Sequence, residues 1–236
     1  MEEFFPEVAF TVFGIPIRDT VVSTWIMMVI IVALAILVGR RRPTGLEMLV
    51  AFLDDLISEI MNRPSDHFLP LLGSLAIFIA FANVIGLVPF IGSPTKDINT
   101  PIALALVVFF SVHYFGVRLM GFGAYLRHLA SPIFLLPLEI ISQISRTISL
   151  SIRLFGNVLS AEIIVAIIFA LAPLFVPLPL EGLSIFTGVL QAYIFTALAA
   201  VYISTGLKEP EDTDENAEGQ SALPINKKNK KTDLVQ

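Results

Sequence analysis

Long apolar runs separated by short polar punctuation set the plan of this chain. Five runs stand out: Val21 to Val38, Phe68 to Ile91, Ile102 to Val117, Pro132 to Ala172 and Leu183 to Thr205. About 20 apolar residues in a helix span the hydrocarbon core of a bilayer, so each run predicts a membrane crossing. The fourth is too long for one perpendicular crossing. It predicts a helix that is strongly tilted, or broken at Pro137 or Gly156. Between the first two runs the period changes. After Pro43, Thr44 and Glu47 have the spacing of a capping box. Leu46, Leu49, Val50, Leu53, Leu56, Ile57 and Ile60 then recur at helical spacing beside Glu47, Asp54, Asp55 and Glu59. That pattern predicts an amphipathic helix on the membrane surface or against the bundle. The stretches GSPTKDINTP and PLFVPLPLEG are rich in turn formers and read as loops, and Gly121 to His128 as a short connection. From Lys208 onward the sequence turns polar, with EPEDTDENAEGQ followed by KKNKK. Blocks of like charge at low hydrophobicity predict a disordered tail. The chain thus divides into an external N-terminal segment (1–20), a membrane domain (21–206) and a charged tail (207–236).

Composition agrees with an all-α polytopic membrane protein. Of 236 residues, 56% are hydrophobic and 15% charged, with a mean hydropathy of +0.83. A net charge of −5 spread over tail and loops points to no nucleic-acid partner. The absence of cysteine excludes disulfides and thiolate chemistry. His67, His113 and His128 lack metal-ligand spacing, and neither a metal nor a cofactor is expected. The Asp54–Asp55 pair has no histidine or metal-ligand pattern beside it and reads as a solvated face. The acidic start, MEEFFPEVAF, lacks the basic n-region of a secretory signal, so it is expected to be retained. Orientation follows from the basic residues. With five crossings, Arg40, Arg41, Arg42, Arg63, Arg118, Arg127, Lys208 and the lysines at 227, 228, 230 and 231 fall on one side, against Arg18 and Lys96 on the other. The positive-inside rule then puts the N-terminus outside and the C-terminus in the cytoplasm.

The stretch Glu139 to Glu162, EIISQISRTISLSIRLFGNVLSAE, departs from this apolar background. It carries Arg146 and Arg153 within a predicted crossing, where an ionisable group costs about 2.5–3.5 kcal/mol even on lenient scales. At about 100° per residue, Glu139, Ser142, Arg146, Ser149, Asn157 and Ser160 all lie within about 40° of the line through Arg153. Isoleucine, leucine and phenylalanine fill the intervening positions. Glu162, nine residues after Arg153, points to roughly the opposite face, so the two belong to separate polar environments rather than one ion pair.

The run SLSIRLFGN with LSAE after it closely resembles subunit a, the stator channel subunit of F-type rotary ATP synthases. Three further stretches in the same order, FANVIGLVP, PTKDINTPIALAL and LQAYIFTALAAVYIS, extend the resemblance from about Pro43 to Gly206. By position, it implies that Arg153 is the family's essential stator arginine, Asn157 the motif asparagine one turn later, and Glu162 the acid of one aqueous half-channel. Gln191 then matches the final-helix glutamine facing that arginine, and Ser149 and Glu139 match polar positions on the cytoplasmic approach. Arg146, Asn83, Ser184 and Glu181 are further candidates. Ser184 stands where some relatives have a histidine, so a relay through that histidine cannot operate; water, or Glu162 alone, would carry the step. Thr147 replaces a proline found in many members.

The resemblance implies a non-catalytic, ion-translocating subunit. Residues 21–206 would form a channel domain in which a long polar helix faces a ring of small subunits, each with a membrane carboxylate. Arginine stays protonated under essentially all conditions. A fixed cation at mid-membrane would therefore favour the ionised form of each passing carboxylate. Expected partners are the c-subunit ring, b-type peripheral stalk subunits, the rest of the synthase, the lipid bilayer, and H⁺ or Na⁺. The expected location is a bacterial plasma membrane. A secondary transporter using Arg153 to bind an anionic substrate is the alternative. It predicts repeated topology with interrupted helices in matching halves, and neither feature is visible in the sequence.

Overall fold

Residues 8–12, 15–41, 43–86, 93–129, 136–171 and 177–207 are described in the computed structural model of the chain. Among the described residues, seven α-helices follow a short hairpin: α1 (Asp19–Arg41), α2 (Pro43–Met61), α3 (Leu69–Ile85), α4 (Asn99–Met120), α5 (Phe122–Leu129), α6 (Leu136–Leu171) and α7 (Pro177–Gly206). Helices α1, α4, α6 and α7 are long and apolar enough to cross a membrane. At 17 residues α3 is shorter and equally apolar. All five predicted crossings are helices, and the protein is an all-helical polytopic membrane protein apart from the hairpin.

That hairpin was not anticipated. Strands β1 (Val8–Val12) and β2 (Ile15–Arg18) pair antiparallel, with Val12 opposite Ile15 and Val8 opposite Arg18. Their β-branched and aromatic content suits a strand, and Pro16 is tolerated because a two-stranded ribbon has only edges.

Other boundaries moved for identifiable reasons. Helix α6 runs unbroken for 36 residues through Gly156. Pro137 lies in its first turn, where the missing N–H has no helical acceptor to lose. Of the two expectations for this run, the break is ruled out, and a length of about 54 Å remains far above the hydrocarbon thickness. Helix α7 starts at Pro177, six residues before the predicted crossing, and takes in most of the expected outer loop for the same first-turn reason. Helix α2 opens at Pro43, so Thr44 is inside the first turn rather than ahead of it. The connection after α4 is itself helical. The polar tail from Lys208 lies outside the described residues, as does the stretch 87–92.

The hub is α7, which packs on α2, α3, α4 and α6. Phe195, Ala199, Ala200 and Ile203 of α7 meet Leu72 and Ile79 of α3, Ala105 and Val108 of α4, and Leu150 and Leu154 of α6 in one core. Lipid is as apolar as leucine, so close van der Waals packing rather than the hydrophobic effect holds such a bundle. The glycines show how close it is. A Cβ at Gly188 of α7 would come within 2.6 Å of Asn83 Cβ on α3, and one at Gly116 of α4 would overlap the Tyr125 ring.

Both ends are fastened. At the hairpin end, Arg18 Nη1 donates to Asp97 Oδ2 (2.8 Å), and the Thr20 hydroxyl donates to the same oxygen (3.3 Å). At the other end Arg63 Nη2 donates to Leu207 O (3.3 Å), and Ser65 donates to Asp54. Asp54 is therefore a fastening point, while Asp55 stays on the outer side of α2.

Candidate functional site around the polar helix

One side of α6 faces the bundle and the other faces away. Leu150, Ser151, Leu154 and Val158 are buried. Ile141, Ser145, Ser149, Ile152, Arg153, Ser160, Ile163 and Ile167 are exposed. Two hydroxyls in this apolar helix bond back to its own backbone: Thr147 donates to Gln143 O (2.9 Å) and Ser151 to Ile148 O (2.9 Å). One turn apart, Gln143 Nε2 donates to Glu139 Oε1 (3.1 Å). The polar ladder runs down one flank of the exposed face. Ser149, Arg153 and Ser160 are exposed, while Glu139, Ser142, Arg146 and Asn157 are half-buried. Arg153 lies at the midpoint of the helix, 17 residues from its start and 18 from its end.

The flank that carries Arg146 borders α7. Its guanidinium carbon sits 5.4 Å from the centre of the Tyr202 ring, a cation–π contact that sets the register of the two antiparallel helices. Gln191 precedes Tyr202 by eleven residues on α7, and Asn157 follows Arg146 by eleven on α6, so both lie about 16 Å along the seam at one level. Eleven residues also bring Gln191 back to within about 20° of Tyr202 around α7. Gln191 is thus on the side facing α6, level with Asn157 and one turn from Arg153. It is buried, and its Nε2 has no hydrogen-bond partner among the described residues.

Glu162 belongs to the other flank. It is half-buried, on the side of α6 away from Arg153. It is close enough to Lys96, in a 3-10 turn (Pro94–Lys96) that packs on α6, to interact electrostatically. Among the described residues the ion pairs are Arg18–Asp97 and Lys96–Asp19, so Arg153 and Glu162 do not pair. The remaining candidates scatter. Asn83 is buried between α3 and α7, where Nδ2 donates to Gly188 O (2.9 Å) and Oδ1 accepts from Thr95 (3.3 Å). The Ser184 hydroxyl donates to Leu180 O (3.0 Å), and Glu181 is half-buried near the start of α7. Glu139 lies at the other end, near Tyr125 of α5. Burial, and then the Glu139 charge, raise the Tyr125 phenol above its ordinary value.

Sequence reasoning missed the clasp around Asp97. Burial alone would raise this carboxyl, but hydrogen bonds from Arg18, the Asn99 backbone N–H and Thr20, with the Arg18 charge, outweigh it and hold it below its usual range. Arg18 and Asp97 are 79 positions apart, so no local pattern pairs them. Sequence reasoning also did not single out Tyr202, which meets Arg146. Of the histidines, His113 Nδ1 is 3.0 Å from Phe109 O and its ring leans on Phe109, while His67 is exposed. The His128 side chain lies outside the description. No cluster of three or more metal-ligating side chains occurs among the described residues.

The ATP synthase A chain family model matches residues 21–204. Among curated proteins, the chain is 46% identical to ATP synthase subunit a 2 of Bradyrhizobium sp., over 82% of this chain and 90% of that one. It is 38% identical to ATP synthase subunit a 1 of Hahella chejuensis, over 87% and 91%. With ATP synthase subunit a of Legionella pneumophila it shares 36% over 89% and 95%. Nothing in these matches favours a secondary transporter. With four long apolar helices among the described residues, and the SLSIRLFGN helix packed on the final helix, the chain belongs to the ATP synthase A chain family, as an integral membrane subunit of the ATP synthase complex.

Proposed function

We propose that this subunit provides the two half-channels through which protons reach and leave the carboxylates of a rotating c-ring. Arg153 is the fixed cation between them. One observation carries the reading: α6 presents Arg153 at mid-length on a face that no other helix covers among the described residues, with its other polar groups on two flanks leading to opposite ends of the bundle. Glu162 looks toward the hairpin end, and Arg146 and Glu139 toward the end where α7 finishes. A water path along each flank would be offset laterally from the other, and ions could cross only by riding the ring.

The exposed face suits a moving partner. Ser145, Ser149, Gly156 and Ser160 keep it shallow around Arg153, and small residues let a second helix approach closely in a membrane. Arginine cannot relay the proton itself. Its field instead favours the ionised form of the facing ring carboxylate. Discharge of that carboxylate and exclusion of a protonated site from the gap follow from one permanent charge. Each charge carried through the potential releases about 2.3 kcal/mol per 100 mV for rotation. Asn157 and Gln191 would orient the Arg153 guanidinium through their amide oxygens, since a guanidinium can only donate.

The subunit carries no catalytic chemistry of its own. The basic-residue asymmetry places the hairpin end outside and the α2 end in the cytoplasm of a bacterial cell. The amphipathic α2, with Met48 and Phe52 exposed, lies at the cytoplasmic surface beside b-type stalk subunits. The test is passive proton flux and ATP-driven pumping in vesicles carrying the assembled complex. Arg153→Lys and Arg153→Ala should both abolish coupled synthesis, and Arg153→Ala should also let protons leak without ATP turnover. Normal pumping by Arg153→Ala would eliminate the mechanism; lost pumping without leak would remove the barrier role.

A further inference from the structure

Lys96 lies in a turn that cannot move freely. On one side of it, Asp97 is held by Arg18 and Thr20 and accepts the Asn99 backbone N–H (3.2 Å). On the other, buried Ser93 donates to Ala82 O (3.0 Å), and Thr95 bonds Ser93 and Asn83. The Lys96 backbone N–H closes the turn on Ser93 O (3.2 Å). So fixed, the turn packs on α6.

The lysine side chain is only 14% exposed, in a turn whose neighbours Ser93, Thr95 and Asp97 are buried. An ammonium withdrawn from water requires a compensating charge. Its carboxylate partner within ion-pair range, Asp19, stands at 4.0 Å, the outer limit, and is 41% exposed, where ion pairs contribute little. Asp97 is committed to Arg18. Among the described residues, Glu162, half-buried on α6 where the turn packs, also feels the Lys96 charge. The other elements packed on α6 bring few competing charges. The titratable groups of α4 (His113, Tyr114 and Arg118) all lie in its far half, and α7 contributes Glu181 at this end.

We propose that Lys96 is the fixed counter-cation of Glu162 at the outer mouth of its half-channel, held in place by the Arg18–Asp97 clasp. This rests on the reading that Glu162 lines that half-channel. Lys96 is a positioning residue: it does not carry the proton, but it biases Glu162 toward the ionised form that can accept one from outside. A positive charge near a carboxyl lowers the pH at which it loses its proton, so removing that charge moves the transition upward.

The experiment uses vesicles containing the assembled complex and measures ATP synthesis at constant driving force. The pH is varied on the side reached by the hairpin end. Lys96→Gln should move the midpoint of the profile to higher pH by about half a unit. Lys96→Arg should retain the wild-type midpoint. Asp19→Asn, which removes the weak ion pair from its other side, should not produce the upward shift. In a Glu162→Gln background, Lys96→Gln should cause no further change. A wild-type midpoint in Lys96→Gln, with Glu162→Gln still impaired, overturns the Lys96 inference alone. Equal upward shifts in Lys96→Gln and Asp19→Asn overturn it as well, since the turn would then act only as an anchor. Full activity and an unchanged profile in Glu162→Gln would sink the half-channel reading itself.

Discussion

Replacing Gly188 by alanine should loosen the bundle where α3 crosses α7, whereas the same change at Gly182 should not. The Gly188 Cβ would stand 2.6 Å from Asn83 Cβ and 3.2 Å from its Cγ. Carbon atoms pack best at about 3.5–4.0 Å, so the helices must separate by about 1 Å there, and a gap of that size forfeits a quarter to a half of each contact's attraction. Overpacking of this kind costs about 1–3 kcal/mol. The Asn83 Nδ2 bond to Gly188 O, 2.9 Å long, would stretch with it at a further cost of about 1 kcal/mol. Against this, alanine is the better helix former by about 1 kcal/mol. The net expectation is a loss of about 1–3 kcal/mol. At Gly182 nothing lies within 4 Å of the added carbon, so only the propensity gain remains. Thermal unfolding of the subunit in lipid nanodiscs, with complex abundance in membranes as a second readout, compares the two. Asn83→Gly should rescue part of the Gly188→Ala loss by vacating the space, a coupling visible in a double-mutant cycle. Equal effects at the two glycines, or strict additivity with Asn83→Gly, would refute the close-crossing argument.

Two further outcomes follow from the ends of the bundle. Thr95 is fully buried and unsuited to a labelling reporter, so topology is better tested at Ile98, which is exposed. Ile98→Cys should react with an impermeant reagent from outside and His67→Cys only from inside; the reverse would sink the proposed orientation. Asp97→Asn keeps the shape of the clasp and removes its charge, and with Arg18 44% exposed the loss should be only about 1 kcal/mol. Because the folded carboxyl is held below its ordinary value, its contribution is fully present above the unfolded value of about 3.9 and is lost as pH falls through the folded one. Wild type and Asp97→Asn should therefore differ in stability by a constant amount from pH 5 to 8 and converge in stronger acid. A difference that shrinks between pH 7 and 5 would contradict the assignment.

The sequence by itself determined the parts whose physics is local. Apolar run length predicts the crossings, because a helix must satisfy its own backbone in lipid and needs about 20 residues to span it. The separation of Arg153 from Glu162 follows from helical periodicity alone. Proline positions misled, since Pro137 and Pro177 resemble breaks in a linear reading but occupy first turns, where a proline costs a helix nothing. What only the tertiary structure decided was pairing across distance: Arg18 with Asp97, Arg146 with Tyr202, and the turn carrying Lys96 with the flank of Glu162. Asn83 shows the limit most clearly. An asparagine within a crossing reads as a candidate for ion traffic, and nothing nearby in the chain indicates that both ends of its amide are occupied by Gly188 and Thr95. Hydrogen bonds and charge pairs depend on the few ångströms between side chains, and the packing of the helices, which no local pattern encodes, sets those distances.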